Sequence, residues 1–258
     1  VPWGPKPDGT FRFTFVGTTD TDYDGPLDDP QCTKADIDYV LRALNASVTT
    51  GVTEDDVTGV WAGLRPLVKA ATSGRTADLS RHHKVNDDGS GVITITGGKL
   101  TTYREMAEDT VDAVSARLGT KSKCRTRRLP LLGGDGYREP AAGTVDAHLG
   151  GRYGTLAPAV QALVDADPTL GEPLVPGLTY LRAEAVHAVR HEMATTLDDV
   201  LSRRTRARLF DRDAGVAAAP AVAALIAAEL GWDTDEAARQ VAAFVESCRH
   251  EELSGAVA

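Results

Sequence analysis

The chain is poor in cysteine, and its three thiols, Cys32, Cys124 and Cys248, are odd in number and far apart. No CxxC spacing occurs, so neither a zinc knot nor a disulfide framework is expected, and a reducing cytoplasm is the natural setting. Long apolar runs are missing too: no stretch approaches the roughly 20 uninterrupted residues that span a bilayer. The opening Val1-Pro2-Trp3-Gly4-Pro5 has no basic region followed by an apolar one, so no leader is read there. An excess of positive charge is also lacking. At a formal −9, a general nucleic-acid binder is disfavoured, because such proteins depend on concentrated Lys and Arg.

What is present is enough for a real core. With 258 residues, an ordinary apolar share and a quarter of positions charged, two domains are expected. Phe11 to Gly17 alternates like a half-buried strand. Thr33 to Leu44 reads as a helix with Thr33 or Asp36 as cap and Ile37, Val40, Leu41 and Leu44 on one stripe. Val57 to Val68 resembles a second strand, interrupted by Pro66. Leu79 to Ile95 predicts a hairpin turning at Asn86-Asp87-Asp88-Gly89. The returning strand enters Thr96-Gly97-Gly98-Lys99-Leu100-Thr101-Thr102, after which Met106, Thr110, Val114 and Leu118 mark a helix.

The basic, then Gly- and Pro-containing stretch from Lys121 to Tyr137 marks a domain boundary. Beyond it the pattern is helical, including Leu181 to Leu201, Ala219 to Leu230 and Thr234 to Cys248. The expected fold is α+β: a partial antiparallel sheet with helices over residues 1–123, then an all-α domain over 124–258.

A strand, a Gly-Gly turn and a helix leave unpaired backbone N–H groups at a helix start, where the macrodipole favours an anion. Gly97 and Gly98 let the backbone approach a ligand, Lys99 adds a full charge, and Thr101 and Thr102 offer hydroxyls. A purely structural turn has the same signature, and the glycine spacing is neither that of a Walker loop nor GxGxxG. Arg65 and Arg81 carry the side chain best matched to phosphate, yet only convergence with Lys99 would distinguish them from surface charges. His187 and His191 lie four apart, but HExxH order is absent, and a structural pair is favoured over a metal site. The basic run Arg203-Arg204-Thr205-Arg206-Ala207-Arg208 is favoured as a solvated or salt-bridged helix end over a nucleic-acid or lipid patch.

Four blocks in order, Phe15-Val16-Gly17-Thr18-Thr19-Asp20, Gly63-Leu64-Arg65-Pro66-Leu67, Ser80-Arg81 and Gly97-Gly98-Lys99-Leu100-Thr101-Thr102-Tyr103-Arg104, resemble FAD-dependent glycerol-3-phosphate dehydrogenases and oxidases. Ala183-Glu184, Arg190-His191-Glu192, Asp199-Val200-Leu201 and Arg203-Arg204-Thr205-Arg206 resemble that family's helical cap domain. The resemblance implies oxidation of sn-glycerol 3-phosphate to dihydroxyacetone phosphate with hydride passed to FAD. It implies that Arg65 and Arg81 grip the substrate, that Lys99 binds it and serves catalysis near the reacting oxygen, and that Gly97, Gly98, Lys99, Leu100 and Thr101 meet the flavin. No GxGxxG opening a helix occurs, so the segment holding the ADP half of FAD is expected upstream, and the chain by itself is expected to be inactive and free of FAD. The implied partners are glycerol 3-phosphate, that missing amino-terminal FAD-binding segment, and a quinone or other electron acceptor. A dehydrogenase is favoured over an oxidase using dioxygen, with a cytoplasmic location and peripheral attachment to the inner face of the membrane. A non-catalytic helical docking module is the alternative from a different class.

Overall fold

The computed structural model describes residues 1–6, 8–65, 82–120, 122–140 and 145–256. It is α+β and falls into two compact units: Val1–Asp20, Gln31–Ala62 and Leu132–Ala258 form the first, Thr21–Pro30 and Gly63–Leu131 the second.

The first unit is a helical body with a small antiparallel ribbon. β1 (Pro2–Pro5) pairs with β2 (Phe11–Thr14) in the register Pro2 to Thr14, Trp3 to Phe13 and Pro5 to Phe11. Two prolines are tolerable here because β1 is an edge. The ribbon sends Phe13 and Phe15 onto the helical core, where their rings stand 4.7 and 5.7 Å from that of Phe210. α1 (Lys34–Asn45) starts at Thr33 in a reciprocal capping box with Asp36.

The strand expected at Val57 to Val68 does not form over 57–65, and 66–68 lie outside the described residues. The local reason is that this backbone is committed elsewhere. A side chain at Gly59 would stand 2.6 Å from the Leu209 carbonyl oxygen, and the Val60 N–H donates to Glu251 Oε1 at 3.3 Å instead of a ladder.

The carboxy-terminal helices are α3 (Val145–Tyr153), α4 (Ala157–Ala166), α5 (Arg182–His191), α6 (Ala207–Phe210), α7 (Arg212–Leu230) and α8 (Thr234–Ala256). Leu197, Val200, Leu201, Val222, Ile226 and Phe244 form the fully buried heart of the larger core. Leu149, Tyr153, Val160 and Ala183 form a second cluster.

The continuous helix expected from Leu181 to Leu201 is broken. Met193 takes φ 57°, a left-handed conformation, and a π-helical turn follows at Asp199–Arg204. Asp199 starts that turn by accepting the N–H groups of Thr195 and Thr196 at 3.0 and 3.1 Å. Arg204 closes the end of α5 by donating Nε and a terminal nitrogen to the Glu192 carbonyl at 2.9 and 2.6 Å.

α7 is long and apolar enough to cross a membrane, with a mean hydropathy of 1.5. Its Ala218, Ala219, Val222, Ala223 and Ile226 are instead spent in the core.

In the second unit, β3 (Lys84–Asp87) pairs with β4 (Ile93–Thr96), and Asp87 faces Ile93. The turn therefore spans 88–92, two residues later than its sequence signal. Asp87 and Asp88 side chains accept the N–H groups of Gly89 and Ser90, both at 2.9 Å, which pulls the strand forward. α2 (Tyr103–Arg117) follows and is clasped to the hairpin at its middle and its last residue. His83 Nε2 lies 2.7 Å from Asp109, and Arg117 pairs with Asp87 at 2.6 Å.

Candidate active site

The segment leaving β4 contains two successive glycines in the left-handed region, Gly97 at φ 76° and Gly98 at φ 78°. That sequence of dihedrals turns the chain sharply at a conformation other residues resist. Gly98 is also a packing requirement. A Cβ there would meet Met106 Sδ at 2.4 Å and His83 Cβ at 3.2 Å, so the first turn of α2 rests directly on this backbone.

Lys99 is extended, and a short 3₁₀ turn at Leu100–Thr102 leads into α2. Thr102 locks the turn: its Oγ1 accepts from the Lys99 N–H at 3.1 Å and donates to the Lys99 carbonyl at 3.0 Å. Leu100 and Thr101 stand at the start of the turn, where a helical segment offers no internal acceptor to its first N–H groups. The Lys99 side chain is exposed and forms no ion pair among the described residues. Leu100 is 88% exposed, an apolar side chain presented beside the Lys99 cation and open main-chain donors. This combination is suited to a ligand with an anionic edge and an apolar face.

Gly97, Gly98, Lys99, Leu100 and Thr101 are thus gathered on one turn. Arg65 is exposed in an irregular segment of the same unit. Pro66, Leu67, Ser80 and Arg81 lie outside the described residues. His83, whose partnership with Asp109 steadies α2, carries no chemical signature in the sequence beyond its neighbour His82.

The helical unit holds a buried polar cluster that spacing does not reveal. Glu184 of α5 is 1% exposed and faces His148 at 2.7 Å, Arg152 Nε at 2.6 Å and the Tyr153 hydroxyl at 3.2 Å. It also accepts the Leu181 N–H at 2.7 Å, as the acidic third residue of a capped helix does. Burial raises the Glu184 pKa, but the His148 hydrogen bond and the Arg152 charge outweigh it and hold the carboxyl below its ordinary range. His187 packs its ring edge-on to Tyr153 at 5.1 Å and lies 4.8 Å from His191, and its Nδ1 has no hydrogen-bond partner among the described residues.

Known proteins resemble this chain. The family model for the C-terminal domain of alpha-glycerophosphate oxidase matches residues 124–237. Glycerol-3-phosphate dehydrogenase 2 of Mycobacterium tuberculosis is 39% identical over 272 residues, covering 99% of this chain and 45% of that protein. The chain belongs to the glycerol-3-phosphate dehydrogenase family. The mitochondrial glycerol-3-phosphate dehydrogenase of Arabidopsis thaliana is 34% identical over 85% of the chain. A solved glycerol-3-phosphate dehydrogenase from Bacillus halodurans, in complex with FAD, matches with a TM-score of 0.71 and 31% identity. It covers 90% of this chain and 48% of its own. The chain accordingly spans about half the length of the glycerol-3-phosphate dehydrogenases it matches. Both the glycine turn and the Glu184 cluster lie within the 99% shared with the mycobacterial relative.

Proposed function

We propose that this chain supplies the carboxy-terminal part of an enzyme oxidising sn-glycerol 3-phosphate to dihydroxyacetone phosphate, with Lys99 and the Gly97–Thr101 turn at the reacting end. The observation that carries the reading is the turn itself: two left-handed glycines, a cation without an ion pair among the described residues and open N–H donors at a helix start, in a member of this family. Bound FAD would supply the acceptor for the hydride of the alcohol carbon. The turn's main-chain donors fit its anionic pyrimidine edge, and Leu100 offers an apolar surface beside it. Lys99 Nζ holds the substrate's reacting oxygen by a charged hydrogen bond. Arg65 and Arg81 grip the phosphate, because a guanidinium fork matches two phosphate oxygens at once.

The division at residues 123 and 124 belongs to the same proposal, and the start of the family-model match at 124 supports it. Leu129, Leu131 and Leu132, each at least 69% exposed, support a docking role for this region toward the rest of its own enzyme. Electron exit to a quinone at the inner face of the membrane is the favoured route, on the strength of relatives named dehydrogenases.

In the complete enzyme, Arg65→Ala or Arg81→Ala is expected to raise KM for glycerol 3-phosphate about 10- to 150-fold, the worth of a charged hydrogen bond. KM for glycerol should move far less. Equal effects on both substrates would remove the arginines from the phosphate site. The 258-residue chain alone should purify colourless, and a yellow preparation with flavin absorbance would contradict the division of the cofactor site.

A further inference from the structure

The helical unit contains a cavity of about 530 Å³ that the proposed chemistry does not use. Arg152, Arg203, Arg204 and Arg206 line it together with Trp3 and Tyr180, and Glu192 is its one acidic lining residue. Four positive side chains against one negative make this wall unlike the surface of a chain with an overall charge of −9.

Three of the arginines are fixed by the protein. Arg152 pairs with Glu184, donates to the Arg204 carbonyl at 2.7 Å, and lies over the Tyr180 ring at 4.7 Å. Arg204 spends two nitrogens on the Glu192 carbonyl. Arg203 pairs with Asp198 and Asp199 at 2.6 and 3.1 Å.

Arg206 differs. It is exposed, makes no hydrogen bond or ion pair among the described residues, and sits at φ 57°, ψ 24°, in the left-handed region. Both its neighbours are anchored: Thr205 is buried with its hydroxyl on the Val200 carbonyl, and Ala207 is buried at the start of α6. Glycine is the relaxed occupant of such a position, and an arginine there costs about 1 kcal/mol or more. The chain therefore holds, at some strain, a guanidinium with no hydrogen bond or ion pair among the described residues, facing a cavity backed by fixed charge. Tyr180 reinforces the arrangement. Burial pushes its pKa up to about 12 against the pull of Arg152, so its hydroxyl keeps its proton.

We propose that this cavity binds a phosphate group, with Arg206 as its direct ligand, Arg152 and Arg204 as fixed charges, and Glu192 accepting a hydroxyl of the molecule that carries the phosphate. The reading is independent of the substrate site at Lys99.

Titration calorimetry on the 258-residue chain tests it with inorganic phosphate and glycerol 3-phosphate, alongside sedimentation with phosphatidylglycerol and phosphatidylcholine vesicles. Saturable binding of the soluble ligands marks a free phosphate compound as the source. Binding confined to phosphatidylglycerol vesicles marks a lipid headgroup, and either result supports the site provided it depends on Arg206. Arg206→Gly should weaken binding at least about tenfold, the lower worth of a charged hydrogen bond. The same change should hold or raise the melting temperature, because glycine relaxes the left-handed backbone, so lost binding cannot be ascribed to unfolding. Arg206→Lys should retain most of the affinity, and Lys99→Ala should leave the affinity for inorganic phosphate within about twofold, below the worth of one such bond. Absence of binding to all four probes, or binding unchanged in Arg206→Gly, overturns the proposal. Loss in Lys99→Ala with none in Arg206→Gly would move the phosphate to the glycine turn and overturn it equally.

Discussion

Glu184 is the most heavily committed side chain of the helical unit, accepting from one backbone N–H and facing three side-chain donors while 1% exposed. Folding lowers its pKa below the ordinary 4.5, so its contribution is present above that value and drains away as the pH falls through the folded pKa. His187 acts in a higher window. Burial pushes its pKa below 6.5, against the pull of Glu192 and Glu184 and with the help of His191, so folding favours the neutral ring. That contribution is present above pH 6.5 and is lost on acidification below it. Melting temperatures should therefore fall in two stages, first below pH 6.5 and again below 4.5. His187→Leu should abolish the first stage, and its persistence in that variant would assign the stage to another group. Glu184→Gln should lower stability near neutrality by about 3 kcal/mol, the scale for breaking an ion pair whose carboxylate is buried, measured by urea denaturation. The histidine spacing had invited thought of a metal. Its structural meaning, a ring wedged on Tyr153, depends on α3, some 35 residues away, and no local pattern encodes that.

At the scale of elements, the glycine turn sets how α2 meets its hairpin. Gly98→Ala should destabilise the chain by about 1 to 2 kcal/mol, because it adds a side chain in a left-handed conformation and drives it into Met106. Combining it with Met106→Ala should recover the steric share and leave the backbone share. A double-mutant cycle with full additivity would show that Met106 does not press on this turn. Elements whose instructions are local were legible in the sequence: the Thr33 and Asp36 cap, the hairpin strands, the turn at Gly97 and Gly98, and the stripe of α2. Those decided by distant partners were not. β1 holds two prolines and is a strand because β2 pairs with it. Residues 57–65 have strand-like composition, yet Leu209 and Glu251 claim their backbone. The break after α5 had a readable sign in Thr196-x-x-Asp199, a capping pattern within an otherwise strong helical run. In the candidate site, the turn was legible because glycine, lysine and threonine act through adjacent backbone; the arginine-lined cavity draws on five separated stretches of chain.

For the whole molecule, the interleaving of the first unit makes truncation informative. A chain beginning at residue 124 keeps the helices but loses Phe13 and Phe15 from Phe210, and Val60 and its neighbours from Glu251. It should show a helical circular dichroism spectrum and melt below the full chain. The loss is expected to be about 2 to 3 kcal/mol, from two aromatic pairs and the apolar area they cover. Strand-dominated or featureless dichroism would refute the all-α reading of this region.

The ribbon at the start of the chain also has a history in time. Arg12 donates to the Gly177 carbonyl at 3.1 Å across 165 residues, and Phe13 and Phe15 rest on Phe210, which is made later still. At translation rates of about 5 to 20 residues per second, roughly 10 to 30 s pass between synthesis of Arg12 and arrival of its acceptor. Throughout that interval, Trp3, Phe13 and Phe15 leave the ribosome with nothing from the helical core to cover them. They form an apolar segment that nascent-chain chaperones would hold, so in pulse-labelled chains this ribbon should become protease-resistant only after residue 210 has emerged.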